Sequence, residues 1–79
     1  MRDIENHIRF KNDIYAMRKF KGYGQTKLSK AIGIRRDELS IIENGHRLPT
    51  KATLEKMKKE LGCLYGDLYS LEMQKIIFS

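Results

Sequence analysis

The chain has 79 residues, which gives room for one modest core and no second domain, and its 16 Lys and Arg against 10 Asp and Glu leave a formal charge of +6. Its single cysteine, Cys63, excludes an intramolecular disulfide, and with two histidines it makes too small a stock for a structural zinc site. Met1 to His7 lack the apolar run of a signal peptide, and no stretch approaches the roughly twenty apolar residues of a membrane span, so a cytoplasmic protein without membrane contact is expected.

Glycines at 22, 24, 33, 45, 62 and 66 punctuate the chain into short helical segments. Asn12 or Asp13 can cap a first helix in which Ile14, Met17, Arg18 and Lys21 share a face, with Gly22 as its stop. A second helix is expected from about Gln25 to Ile32, with Leu28 and Ile32 inward and Gly33 in the left-handed position after its end. The third spans roughly Arg36 to Glu43, where Leu39 and Ile42 point inward and Asn44-Gly45 ends it. Thr50, after the only proline, Pro49, caps a fourth from Lys51 to Leu61, with Leu54, Met57 and Leu61 at spacings of three and four. A fifth is expected near Gly66 to Leu71. The alternation Ile8-Arg9-Phe10-Lys11 and the run Ile76-Ile77-Phe78 read as extended end segments able to pair with each other.

Residues 25 to 44 have the form of a helix-turn-helix: Gln25 opens one short helix, Ser29 is small where the two backbones must approach, Gly33 makes the turn, and Leu39 and Ile42 anchor the next helix. An ordinary helical hairpin would show the same apolar positions. The charge excess adds to the first reading, because residues 13 to 62 hold twelve Lys or Arg against six Asp or Glu, while the ends are nearly balanced. Cations so grouped suit a polyanion, although solvated helix faces would give the same count.

Ile14, Met17, Arg18, Gly22, Gln25-Thr26-Lys27-Leu28, Ile32-Gly33-Ile34, Ile42-Glu43-Asn44-Gly45, Arg47, Pro49 and Thr53-Leu54 together resemble the Cro and phage-repressor (XRE-like) helix-turn-helix family. The resemblance covers about residues 12 to 69. It implies an all-α, five-helix, lambda-repressor-like domain that binds double-stranded operator DNA, usually as a homodimer and often as a repressor. Three positions depart from the family pattern. Gly24 and Arg35 stand where Ser or Thr caps are common, so both helix starts are expected to fray until DNA arrives, and Leu64 replaces the usual cap of the last helix.

With Leu39 and Ile42 inward, a rotation of about 100° per residue turns Asp37, Ser40, Ile41 and Asn44 outward, with Arg36 at the flank. In a major groove Arg36 can take guanine O6 and N7, Asp37 can accept from a cytosine amine, Ser40 can donate or accept, and Ile41 can meet a thymine methyl. Asp37 also repels phosphates and so can exclude wrong sites. Gln25, Arg35, Asn44, Arg47 and Lys51 are expected to contact phosphates around the helix ends. Gln25 and Asn44 match phosphate-contacting positions of the family, whereas Arg47 and Lys51 follow from charge and place. Arg18 and Glu43, each costly to bury alone, are expected to form a structural pair, as the family often does.

An enzyme would need convergent groups, and His7, His46 and Cys63 lie in separate segments with no nucleophile, metal or phosphate-loop signature, so neither catalysis nor a cofactor is expected. The competing reading is a protein-interaction module of the same fold, such as an antitoxin or antirepressor with a protein partner. Leu64, Tyr65, Leu68, Tyr69, Leu71, Met73, Ile76, Ile77 and Phe78 make an apolar end of which part belongs to the core. The remainder, with the tail 70–79, is expected to form a homodimer contact. The organisation expected is one domain over 1–79 with a DNA-binding core at 12–69.

Overall fold

In the computed structural model, which describes residues 9–79, the chain forms α1 (Ile14–Phe20), α2 (Gln25–Ile32), α3 (Arg36–Glu43), α4 (Lys51–Leu61) and α5 (Leu71–Phe78). A single 3-10 turn, Tyr65–Asp67, stands between the last two, and no strand occurs among the described residues. The fold is all-α with five helices, as the sequence implies. His7 and Ile8 lie outside the described residues.

The three middle helices fall where apolar periodicity places them. Leu28 and Ile32 of α2, Leu39 and Ile42 of α3, and Leu54, Met57 and Leu61 of α4 are buried, and join Ile14, Leu68 and Tyr69 in one core. α2 packs against both α3 and α4, so it is the central slat of the bundle. Gly33 ends α2 at φ 77°, a left-handed conformation that other residues adopt only at a cost, and this lets the chain reverse into α3 within a few residues. Ser29, 2% exposed, keeps its hydroxyl on the Thr26 carbonyl at 3.1 Å, which leaves a small, satisfied side chain inside the packed unit. α4 is capped by Thr50, whose hydroxyl accepts from the Thr53 amide at 3.1 Å. Lys21, in contrast to the face proposed for α1, is exposed.

The C-terminal part departs from expectation. The segment near Gly66 to Leu71 is the 3-10 turn and a bend rather than a fifth α-helix, and the fifth helix begins five residues later. At Leu64, which has no polar side chain to cap with, the Asp67 carboxylate accepts from the Leu64 amide at 2.9 Å and closes the short turn. Ser70 then starts α5 by accepting from the Met73 amide at 3.3 Å. Ile76, Ile77 and Phe78 are therefore helical, not extended, and pair with no strand. Their β-branched composition favours a strand, but the periodicity from Met73 to Ile77 lets that side pack on the core, and burial prevails over intrinsic preference. Phe78 meets Tyr65 edge to face, with ring centroids 5.0 Å apart. Leu64, Leu71 and Ile76 stay exposed.

Beneath α3 lies a charged pair. Arg18 of α1 donates through Nε to Glu43 Oε2 at 2.6 Å and through Nη2 to Oε1 at 3.2 Å, with the two side chains 6% and 4% exposed. Arg18 Nη1 also donates to the Tyr23 carbonyl at 2.9 Å, so the guanidinium is spread over a carboxylate and a loop. A two-pronged contact of this kind has one geometry, and it ties the end of α3 to α1 and to the turn before α2. Glu43→Ala is expected to cost about 3–5 kcal/mol, because it leaves a buried guanidinium without its counter-charge. Arg18→Met combined with Glu43→Leu should cost much less, and chemical denaturation of both variants decides between pair desolvation and simple loss of packing.

Tyr69 is 1% exposed, and its hydroxyl has no hydrogen-bond partner among the described residues. Burial pushes its phenol pKa well above the ordinary tyrosine value. Tyr69→Phe removes the unsatisfied group and keeps the ring, so it should raise stability by about 1 kcal/mol. For a domain of this size that is a gain of about 4–8 °C in Tm, whereas an unchanged or lower Tm would mean that the hydroxyl has an acceptor.

Candidate nucleic-acid interface

α3 presents its outer side as the inward anchors dictate. With Leu39 and Ile42 in the core, Arg36, Asp37 and Asn44 are exposed, Ser40 is half-buried, and Ile41 is 37% exposed despite its apolar side chain. Gln25, Arg35, Arg36, Asp37 and Ser40 line one open cleft where the start of α2 meets the start of α3. Arg35, Asp37, Ile41 and Arg47 line the adjoining one together with Glu38, a residue not singled out from the sequence. Eight of the nine positions nominated for DNA contact thus lie along or beside α3, Asn44 standing as its C-terminal cap. Lys51, exposed at the head of α4, lines neither cleft.

Neither helix start is capped by its N-cap residue. Gly24 and Arg35 occupy the N-cap positions of α2 and α3 in extended conformation, and neither contributes a side-chain cap bond. At α3 the Glu38 amide donates to Asp37 Oδ1 at 3.0 Å; the remaining first-turn amides of the two helices receive no bond from their N-cap residues, and the helix dipoles favour negative charge at both places. At α3 the acidic residues Asp37 and Glu38 partly answer that dipole. Asp37 accepts from Arg35 Nη2 at 3.0 Å, and this bond holds its carboxyl below the ordinary aspartate value. Both side chains are largely exposed, so the contact orients Arg35 more than it stabilises the fold.

Two further links were not legible from the sequence. Gln25 Nε2 donates to Glu43 Oε1 at 3.1 Å, so the carboxylate that receives Arg18 also orients the amide at the head of α2. Asn44 Nδ2 stands 3.4 Å from Ser40 Oγ, one turn back along α3. Residues 18, 25 and 43 are separated along the chain and carry no spacing signal of their own; only the packed arrangement brings them together. Around this face Lys19 and Arg18 flank the Tyr15 ring and Lys27 lies over Tyr23, with the nitrogen of Lys27 4.7 Å from the ring centroid. Among the described residues no three His, Cys, Asp or Glu side chains converge as metal ligands would, and no helix is long and apolar enough to cross a membrane.

Comparison with known proteins gives this geometry its relatives. A family model described as a helix-turn-helix domain matches residues 11–73. An uncharacterized HTH-type transcriptional regulator of Bacillus subtilis, YazB, is 48% identical over 42 residues, which are 53% of this chain and 61% of that protein. The chain therefore aligns with less than two thirds of that relative's length. Among solved structures, a hypothetical transcription factor from Neisseria, NHTF, superposes with a TM-score of 0.64 and 25% identity, over 85% of this chain and 78% of the other. The matched span contains α1 to α4, the turn at Gly33 and the Ile42-Glu43-Asn44-Gly45 segment, and the chain belongs to the XRE-like helix-turn-helix domain family.

Proposed function

We propose that the protein is a sequence-specific, DNA-binding transcriptional regulator of the cytoplasm that acts as a repressor by occupying its site, without catalysis and without a cofactor. The observation that carries this reading is the outward side of α3. There Arg36, Asp37, Ser40 and Ile41 offer a cation, an acceptor, a hydroxyl and a methyl-bearing chain within two turns, the repertoire that reads base edges in a major groove. Gln25, Arg35, Asn44, Arg47 and Lys51 contact phosphates on either side and set the register of the helix on the duplex. First-turn amides of α2 and α3 that receive no bond from Gly24 or Arg35 add backbone donors to that frame. In the free protein Arg35 rests on Asp37; on DNA a phosphate takes Arg35 and releases Asp37 to a cytosine amine. Asp37 then disfavours sites that lack such a donor.

The whole chain, 1–79, acts as one domain on this reading, with 12–69 as its DNA-binding core and the tail 70–79 as the contact between two copies. α5 leaves Leu71 and Ile76 exposed, and Leu64 is exposed nearby in the chain, so a second copy has apolar surface to cover. A two-fold pair sets two recognition helices on successive half-sites of a palindrome. The same exposed residues favour the second reading, a protein-interaction module such as an antitoxin or antirepressor.

Selection from a random duplex pool is expected to return a palindromic motif. Arg36→Ala should relax one position of each half-site at a cost of about 1–3 kcal/mol, while Lys51→Ala weakens all duplexes alike and lowers the salt dependence. Salt-sensitive binding without a motif would favour the protein-interaction module. Ile76→Asp is expected to give a monomer in light scattering and to weaken binding to the full palindrome much more than to a half-site.

A further inference from the structure

An α-helix leaves its last carbonyls without partners, and those of a short helix on which aim depends must be satisfied somewhere. At the end of α3 the residues that follow it supply only part. The Ser40 carbonyl accepts from the Asn44 amide at 3.0 Å, that of Ile41 from the His46 amide at 3.1 Å, and that of Ile42 from the Gly45 amide at 3.0 Å. Beyond these, residues 9 to 12 take over. Asn12 Nδ2 stands 3.1 Å from the Ile42 carbonyl and 3.2 Å from that of Glu43, Arg9 Nη1 donates to the Asn44 carbonyl at 3.2 Å, and the Phe10 amide donates to the Gly45 carbonyl at 2.8 Å. The segment before α1 therefore lies as a strap across the tip of α3.

Gly45 shows how close the strap runs. Its φ is +81°, and a Cβ there would stand 3.1 Å from the Phe10 carbonyl oxygen and 3.2 Å from the Arg9 Cβ. Asn12 is the clasp. While its Nδ2 holds α3, its Oδ1 accepts from the Ile14 amide at 2.9 Å and opens α1, so one amide side chain joins the start of one helix to the end of another. The strap is also fixed on its far side, where the Asp13 amide donates to the Leu68 carbonyl at 2.9 Å.

We infer that Asn12 is a positioning residue for DNA reading: it supplies the C-terminal cap of α3 from outside the helix-turn-helix and so fixes the aim of Arg36, Ser40 and Ile41 and the placement of Asn44. The inference rests on the DNA-reading function proposed above. Asn12 touches no base. Its two amide hydrogens, shared among the Ile42, Glu43 and Phe10 carbonyls, hold the last turn of α3 to the strap, and a reading helix that is free to tilt there keeps its charge but loses its register.

Asn12→Asp isolates this role. It retains an acceptor for the Ile14 amide but sets a carboxylate where the Nδ2 donors stood, at the negative end of the α3 dipole. Asn12→Ser serves as the milder variant, with a hydroxyl acceptor too short to reach the α3 carbonyls. Amide hydrogen exchange and duplex binding would be measured on the full chain of wild type and both variants. Exchange of the Phe10 amide should accelerate by about tenfold or more, while the Leu28 and Leu54 amides in α2 and α4 keep their protection. Affinity for the selected duplex should fall by about tenfold, and affinity for an unrelated duplex by less than about twofold. Unchanged exchange at Phe10, or equal losses on both duplexes, would overturn the inference. A wild-type protein that selects no duplex overturns the DNA reading and the aiming role with it, while exchange at Phe10 still decides whether the strap caps the helix.

Discussion

The carboxylate of Glu43 sits where α1, α2 and α3 meet, and it accepts from Arg18 on one side and Gln25 on the other. Removing either charge of the Arg18–Glu43 pair would strand the other in a place that water does not reach, so the contact tolerates only one arrangement of the three helices. Apolar packing alone would not be so strict. α3 gives just Leu39 and Ile42 to the core, and two side chains one turn apart resist withdrawal of a helix far better than they resist its rolling. Directional bonds at Glu43 supply the missing constraint. They convert a short amphipathic helix into one whose exposed face has a defined orientation.

The same economy governs where polar groups are left open. The strap across the tip of α3 takes carbonyls at its C-terminal end, while at the N-terminal ends of α2 and α3 the N-cap residues contribute no side-chain bond and the Glu38 amide is met by Asp37 Oδ1. The result is a polarised unit, tight at the end that faces the body and open at the end that faces outward. Cations follow the open side: Arg35, Arg36 and Arg47 border the clefts there. Among the described residues no buried carboxylate claims them, and Asp37 meets Arg35 in a surface contact at 3.0 Å.

Much of this was legible in the sequence because the middle of the chain obeys local rules. Glycine after each apolar stretch and the three-and-four spacing of Leu28 and Ile32, of Leu39 and Ile42, and of Leu54, Met57 and Leu61 fix helix type and inward face before any tertiary contact is known. The C-terminal end was not legible in the same way. Ile76-Ile77-Phe78 are strand-prone by composition, and what makes them helical is the Ser70 cap and the packing of Met73, Ile77 and Phe78 on the core. The Gln25–Glu43 link and the clasp at Asn12 are contacts between residues 18 and 30 positions apart, and such links leave no periodic trace. Asn12 was visible only as a candidate cap for α1, half of what it does.

The distribution of caps has a consequence for how the chain can change. Thr50 and Ser70 cap α4 and α5, whereas Gly24 and Arg35 leave α2 and α3 without a capping hydroxyl, which would contribute about 1 kcal/mol at position 35 and only about a few tenths over the glycine at 24. Serine or threonine at positions 24 and 35 is thus one route to a hardier protein, and also a change that fills donors an anion would otherwise meet. Selection for thermal endurance alone would drift toward those substitutions, and on the proposed function it would weaken the hold on phosphate.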